Sequence, residues 1–167
     1  EGLLSDAKKH GVKFGIWIEP EMANTTSELY EKHPDWVLKA SERDVVLGRG
    51  GTQVVLDLAN PAVQDFVCGV VDNLMTSYPE IDYIKWDANM SVQNHGSQYL
   101  TKDNQSHMYI EFHRGFEKIC QRIRAKYPDL TIQACASGGG RANYGVLPYF
   151  DEFWVNDNTD ALQRVYM

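Results

Sequence analysis

Residues 81–87 read Ile-Asp-Tyr-Ile-Lys-Trp-Asp (IDYIKWD). The run is short, rich in Ile and aromatic residues, and preceded by the breaker Tyr78-Pro79-Glu80, which together predict a buried strand. It closes on Lys85 and Asp87, two residues apart, so both side chains leave the same face of the strand. Moving outward, the pattern recurs. Residues 12–18 (VKFGIWI) lead to Glu19 and Glu21, and residues 53–57 (QVVLD) close on Asp57. Residues 130–134 (LTIQA) lead to Cys135 and Ser137, and residues 152–156 (EFWVN) lead to Asp157.

Helical stretches separate these strands. Residues 3–10 end a helix at Gly11. Ser27 to His33 reads as helical up to Pro34. Asn60-Pro61 opens a helix to about Ser77, with Asn as cap, Pro at the first position and Phe66, Val70 and Leu74 at helical spacing. A long helix is expected from Gln105 to Tyr127, and another from Ala161 onward. Strands alternating with helices imply a parallel sheet. Because nearly every strand ends in a polar cluster, the α/β class resolves to a (β/α)8 TIM barrel, whose site is assembled from many strand ends, rather than an open sheet with one switch point. No GxGxxG follows a strand, so nothing supports dinucleotide binding. A complete barrel needs about 250 residues, so roughly five βα units make this a partial barrel.

Composition agrees. Of 167 residues, 43% are hydrophobic and 23% charged, with a net charge of −7. These values are ordinary for a globular domain with a core. The basic residues form no stripe, which argues against nucleic acid as a partner. No apolar run approaches the roughly 18 residues of a membrane span. The three cysteines, Cys68, Cys120 and Cys135, are too few and scattered for a disulfide framework. No CxxC pair exists, and the five histidines, His95 among them, show no ligand spacing, so no metal or organic cofactor is expected. The chain opens on Glu1 rather than Met and closes inside an expected helix, and is read as a segment of the catalytic barrel domain of a longer protein. Nothing in it fixes a compartment.

The carboxylates carry the chemistry. Lys85 beside Asp87 would hold the carboxyl ionised by lowering its pKa. That suits a nucleophile or an Asp that binds a hydroxyl, and a salt bridge at a strand end satisfies the same pattern. Asp157 and Asp160 divide naturally, with Asp157 facing the site and Asp160 capping the helix that follows. Two carboxylates from separate strand ends fit acid/base or nucleophile/acid work, as glycoside hydrolysis requires. Trp17, Trp36, Trp86 and Trp154 crowd the same ends. Trp17 is read as facing the pocket, and Trp86 and Trp154 as core. Glycines 138–140 allow close approach to a ligand. Glu19 and Glu21 divide between a site role and hydrogen bonding to loop backbone.

Taken together, GIWIEPEM, LYEKHPDW, GRGGTQVVLDL, YIKWDAN, CASGGGR and WVNDNTDALQR resemble the family 36 glycoside hydrolases, over residues 11–167 and in the family's order. The resemblance implies an α-galactosidase on a (β/α)8 barrel, flanked in the family by an N-terminal β-supersandwich and a smaller C-terminal β-domain that this chain lacks. It implies Asp87 as nucleophile and Asp157 as acid/base. It implies substrate contacts from Trp17, Arg49, Lys85, Cys135 and Ser137. A further pair of galactose-binding acids is expected upstream of Glu1, and the full-length protein is expected to be a homo-oligomer. The sequence departs from the family at Met90, where many members have Arg, at Asn156 for Ser, and at RANYG (141–145) for RFDPG. These positions bear on the leaving-group side.

The implied reaction is double displacement with retention on an α-galactoside oligosaccharide, without cofactor. Asp157 must start protonated, so burial and the nearby Asp87 are expected to raise its pKa. The rivals are an α-N-acetylgalactosaminidase, a transglycosylase of the raffinose-synthase type and a non-catalytic galactoside-binding protein.

Overall fold

A computed structural model describes residues 2–93 and 96–166; His95 and Met167 lie outside the described residues. In chain order the elements are α1 (Leu3–Lys9), β1 (Phe14–Ile18), β2 (Met22–Asn24), α2 (Glu28–Lys32), β3 (Gln53–Val55), α3 (Pro61–Ser77), β4 (Ile81–Trp86), α4 (Met108–Lys126), β5 (Thr131–Ala134) and β6 (Glu152–Phe153). Local chemistry sets several boundaries. Gly11, at φ +68°, ends the first helix. Ser27 caps α2 by accepting the Tyr30 N–H at 3.3 Å, and Asn60 caps α3 by accepting the Ala62 N–H at 2.9 Å.

The chain divides into two compact units. The first comprises residues 1–19, 78–89 and 129–167. It holds a four-stranded parallel sheet in the order β1-β4-β5-β6. Trp17 lies opposite Lys85, Trp86 opposite Ala134, and Ala134 opposite Phe153. The ladder continues past the strands: Asp87 N–H donates to the Ile18 carbonyl at 2.9 Å, Cys135 N–H to Trp86 at 2.8 Å, and Trp154 N–H to Ala134 at 2.9 Å. Parallel pairing brings the C-terminal ends of all these strands to one edge. Gly15 is required inside β1, since a Cβ there would stand 2.8 Å from the Tyr83 ring.

The second unit comprises residues 20–77 and 90–128. Here β2 pairs antiparallel with β3. Helix α3 packs on α4, burying Val63, Val67 and Val71 on one side and Phe112, Phe116, Ile119 and Ile123 on the other. Gly115 of α4 makes room for the Leu58 carbonyl, which lies 1.8 Å from where a Cβ would sit. Gly115→Ala improves helix propensity by about 1 kcal/mol, but overpacking costs roughly 3 kcal/mol, so a net loss of about 2 kcal/mol is expected in denaturant unfolding.

The α/β class and the parallel sheet are as expected, with several corrections in detail. Residues 53–57 do not join the parallel sheet; Gln53–Val55 form the antiparallel β2–β3 pair instead. A continuous apolar run signals burial on both faces, and Val54, Val55 and Leu56 are indeed buried, but it does not say with what the backbone pairs. The buried stripe of α3 is Val63, Val67 and Val71; Phe66, Val70 and Leu74 are only half-buried. The connection from β5 to β6 carries turns and no helix. The expected final helix is a short 3-10 turn, Gln163–Val165. Asp57 is a clamp rather than a site acid. Fully buried, it accepts the Ala59 N–H at 3.0 Å and the Ser97 hydroxyl, and Ser97 Oγ in turn accepts the N–H groups of Tyr99 and Leu100. Burial raises the Asp57 pKa against those two hydrogen bonds.

Candidate active site

Trp17, Lys85, Asp87, Cys135, Ser137 and Asp157 all belong to the first unit, at or just beyond the C-terminal ends of its strands. Asp87 is the centre of the group. It is 5% exposed, yet its carboxylate is fully engaged. Trp17 of β1 donates its indole N–H to Asp87 Oδ2 at 2.9 Å, and the Ala88 N–H donates to Oδ1 at 2.9 Å. The Asn89 side chain and the Cys135 thiol add further hydrogen bonds. Burial pushes the Asp87 pKa up, but donation from Trp17, Asn89, Cys135 and the Ala88 N–H outweighs it, leaving the carboxyl below its ordinary value.

Lys85 is not among the leading contributors. Its ammonium stands 4.4 Å from the centre of the Trp154 ring, and the groups that chiefly offset burial at Asp87 are neutral donors. Cys135 is buried, and its thiol pKa is raised by burial first and by Asp87 as well, which keeps the S–H available as a donor.

Trp154 is not core. It is half-exposed, takes Lys85 on its ring face, and donates its indole N–H to Asp157 Oδ1 at 2.7 Å. The alternation that predicted otherwise fails because β6 ends at Phe153, so residues 154–157 no longer follow a strand's two-residue period. Trp86, by contrast, is 1% exposed, as expected. Asp157 itself is exposed rather than buried. A string of side-chain turns shapes its segment: Asn156 accepts the Asn158 N–H at 2.8 Å and Asn158 accepts the Asp160 N–H at 2.9 Å. Asp160 accepts the Gln163 N–H at 2.8 Å, the expected capping role, on a shorter helix than expected.

The glycine run serves the backbone. Gly138 sits at φ +89°, and a Cβ there would stand 2.7 Å from the Val155 carbonyl; one on Gly140 would stand 2.5 Å from that of Ala136. Gly139 N–H donates to Val155 at 3.1 Å, tying the loop after β5 to the segment that carries Asp157. Ser137 holds a left-handed φ of +51°, rare for a residue with a Cβ, and donates its hydroxyl to Asn89 Oδ1 at 3.4 Å. Arg49 belongs to the second unit. It lies in the turn before β3 at φ +45°, and its carbonyl accepts the Thr52 hydroxyl at 3.0 Å.

One participant was not singled out in advance. Asn89 touches the Asp87 carboxylate, and its position two residues beyond Asp87 was the available signal. Glu19 accepts the Asn89 N–H at 2.8 Å, the backbone role left open for it.

Comparison with known proteins completes the description. The family model described as Melibiase matches residues 1–167. Alpha-galactosidase 2 of Pediococcus pentosaceus is 40% identical over 162 residues, which is 97% of this chain and 22% of that protein. The crystal structure of the alpha-galactosidase from Lactobacillus brevis superposes with a TM-score of 0.91 at 36% identity, covering 97% of this chain and 21% of that one. The GH36 alpha-galactosidase AgaA of Geobacillus stearothermophilus, in a variant crystallised with raffinose, gives a TM-score of 0.92 at 34% identity over 99% of this chain and 23% of that one. The chain thus spans about a fifth of the length of the relatives it matches.

Proposed function

Because this chain belongs to the melibiase family, we propose that the protein hydrolyses terminal non-reducing α-D-galactosides of the melibiose and raffinose type by double displacement with retention. Asp87 attacks the anomeric carbon while Asp157 protonates the leaving oxygen. A β-linked galactosyl ester forms on Asp87; Asp157, now a base, takes a proton from water, which displaces the carboxylate and releases α-galactose. Trp17, Lys85, Cys135 and Ser137 contact the sugar. Raffinose and stachyose occupy crystals of AgaA variants, which supports that substrate class here.

One observation carries this assignment. Asp87 is buried, which by itself favours the protonated form, and donation from Trp17, Asn89, Cys135 and the Ala88 N–H outweighs that effect. A strand-end acid kept charged in a low-dielectric site is poised as a nucleophile rather than as an acid. Asp157 is held by Trp154 and open to solvent. Proton NMR during turnover of raffinose by the full-length protein is the direct test. The α anomer of galactose is expected first, with mutarotation following. Release of the β anomer first would mean inversion and would exclude a galactosyl-enzyme ester.

A further inference from the structure

We propose that Glu19 is a positioning residue that holds Asn89 in place and, through its amide, fixes the attacking carboxylate of Asp87. The inference rests on the assignment of Asp87 as nucleophile. The strand ladder between β1 and β4 makes its last backbone bond from Asp87 N–H to Ile18. Two residues on, the Asn89 N–H is met by the Glu19 carboxylate at 2.8 Å. A side-chain acceptor thus extends the ladder by one rung past the end of β1. An ionised acceptor makes this bond shorter and stronger than a neutral carbonyl would. The anchored Asn89 faces two ways: its side chain hydrogen-bonds Asp87, and its Oδ1 accepts the Ser137 hydroxyl at 3.4 Å. Ser137 is itself in a left-handed conformation, which costs energy unless its surroundings hold it. Glu19, Asn89 and Ser137 thereby link three strand ends around one carboxylate. Of the titratable groups around this link, Cys135 from the loop after β5 hydrogen-bonds Asp87, and Lys85 from β4 acts on Cys135.

The test uses the full-length protein and follows kcat, KM and the pH profile of kcat/KM on an aryl α-galactoside. Glu19→Ala frees the Asn89 backbone, so its amide no longer reliably reaches Asp87. Losing a donor to the charged form raises the pKa of a carboxyl, and the nucleophile must be ionised. The acidic limb of the profile is expected to move up by about one pH unit. A misplaced nucleophile is expected to lower kcat roughly 10- to 100-fold with KM nearly unchanged. Glu19→Gln keeps an acceptor and is expected to recover most of both losses. Asn89→Ala is expected to move the acidic limb equally, and the double variant no further than either single one. If Glu19→Ala fails to fold, Glu19→Met, which keeps the stem and drops the acceptor, takes its place.

Wild-type limb and kcat in the acceptor-free variant overturn the proposal, as does Glu19→Gln falling as far as Glu19→Ala, or a double variant whose limb shifts add. Wild type and Asp87→Ala are assayed beside them. If wild type turns over and Asp87→Ala does not, a negative result belongs to Glu19 alone. If Asp87→Ala stays active, the nucleophile assignment has failed and takes the Glu19 proposal with it.

Discussion

Asp87→Ala in the full-length protein is expected to lower kcat on raffinose by on the order of 10^4-fold or more, the scale seen when a nucleophile is deleted from a covalent mechanism. The fold should survive. The variant loses an engaged carboxylate and leaves the Trp17 indole N–H and the Ala88 N–H seeking other partners. That costs about 1–3 kcal/mol, a dent in stability rather than its loss. A purely structural Asp87 predicts the reverse: lower stability with activity largely kept. Added azide separates the two cleanly. The removed carboxylate leaves room for a small anion on the face from which Asp87 attacks. With an aryl α-galactoside, whose leaving group departs readily, azide is expected to restore turnover and give β-galactosyl azide by a single inversion. Activity within tenfold of wild type, or an α-configured azide, would remove Asp87 from the nucleophile role.

Asp157→Ala is expected to be selective for the leaving group. An alkoxide departing from raffinose needs a proton in the transition state, and general acid catalysis typically contributes 10²- to 10⁴-fold; kcat/KM on raffinose is expected to fall roughly 10³-fold. A dinitrophenolate needs no proton, so kcat/KM on that galactoside, which reports the first step, is expected to fall less than about tenfold. Its kcat should still fall, because release of the galactosyl ester also relies on Asp157 as base, and KM should fall with it as the ester accumulates. Equal losses on both substrates would leave Asp157 a structural residue. The same comparison tests Trp154, which holds the Asp157 carboxylate at 2.7 Å: removing its indole N–H should act mainly on the poor leaving group.

The sequence was legible wherever a local rule sets the structure. Gly11, Ser27 and Asn60-Pro61 mark helix ends because capping and left-handed φ are properties of a few consecutive residues. The runs at 14–18, 81–86 and 131–134 are strands of one parallel sheet, as their apolar character predicts. Trp17 reaches the strand-end carboxylate, and Trp86 is core, because the two-residue alternation holds from Gly15 to Ile18 and from Tyr83 to Trp86. Where alternation stops, inference from sequence stops too. Trp154 lies one residue beyond β6, and its indole turns to Asp157 rather than to the core. The run at 53–57 is as apolar as any barrel strand, yet it pairs antiparallel with Met22–Asn24.

Residue order alone indicates the parallel α/β plan, the placement of Asp87 at a strand end and of Asp157 shortly beyond one, and the run of motifs that resembles the family. These depend on periodicity, capping and motif order, which are written along the chain. The means by which Asp87 stays charged are a matter of three dimensions. Lys85 is the cation nearest in sequence, but its ammonium lies over an indole ring, and the work falls to Trp17, Asn89 and Cys135, two of which come from other strands. Hydrogen-bond donors act over about 3 Å, and only folding brings residues 17 and 135 within that reach of residue 87.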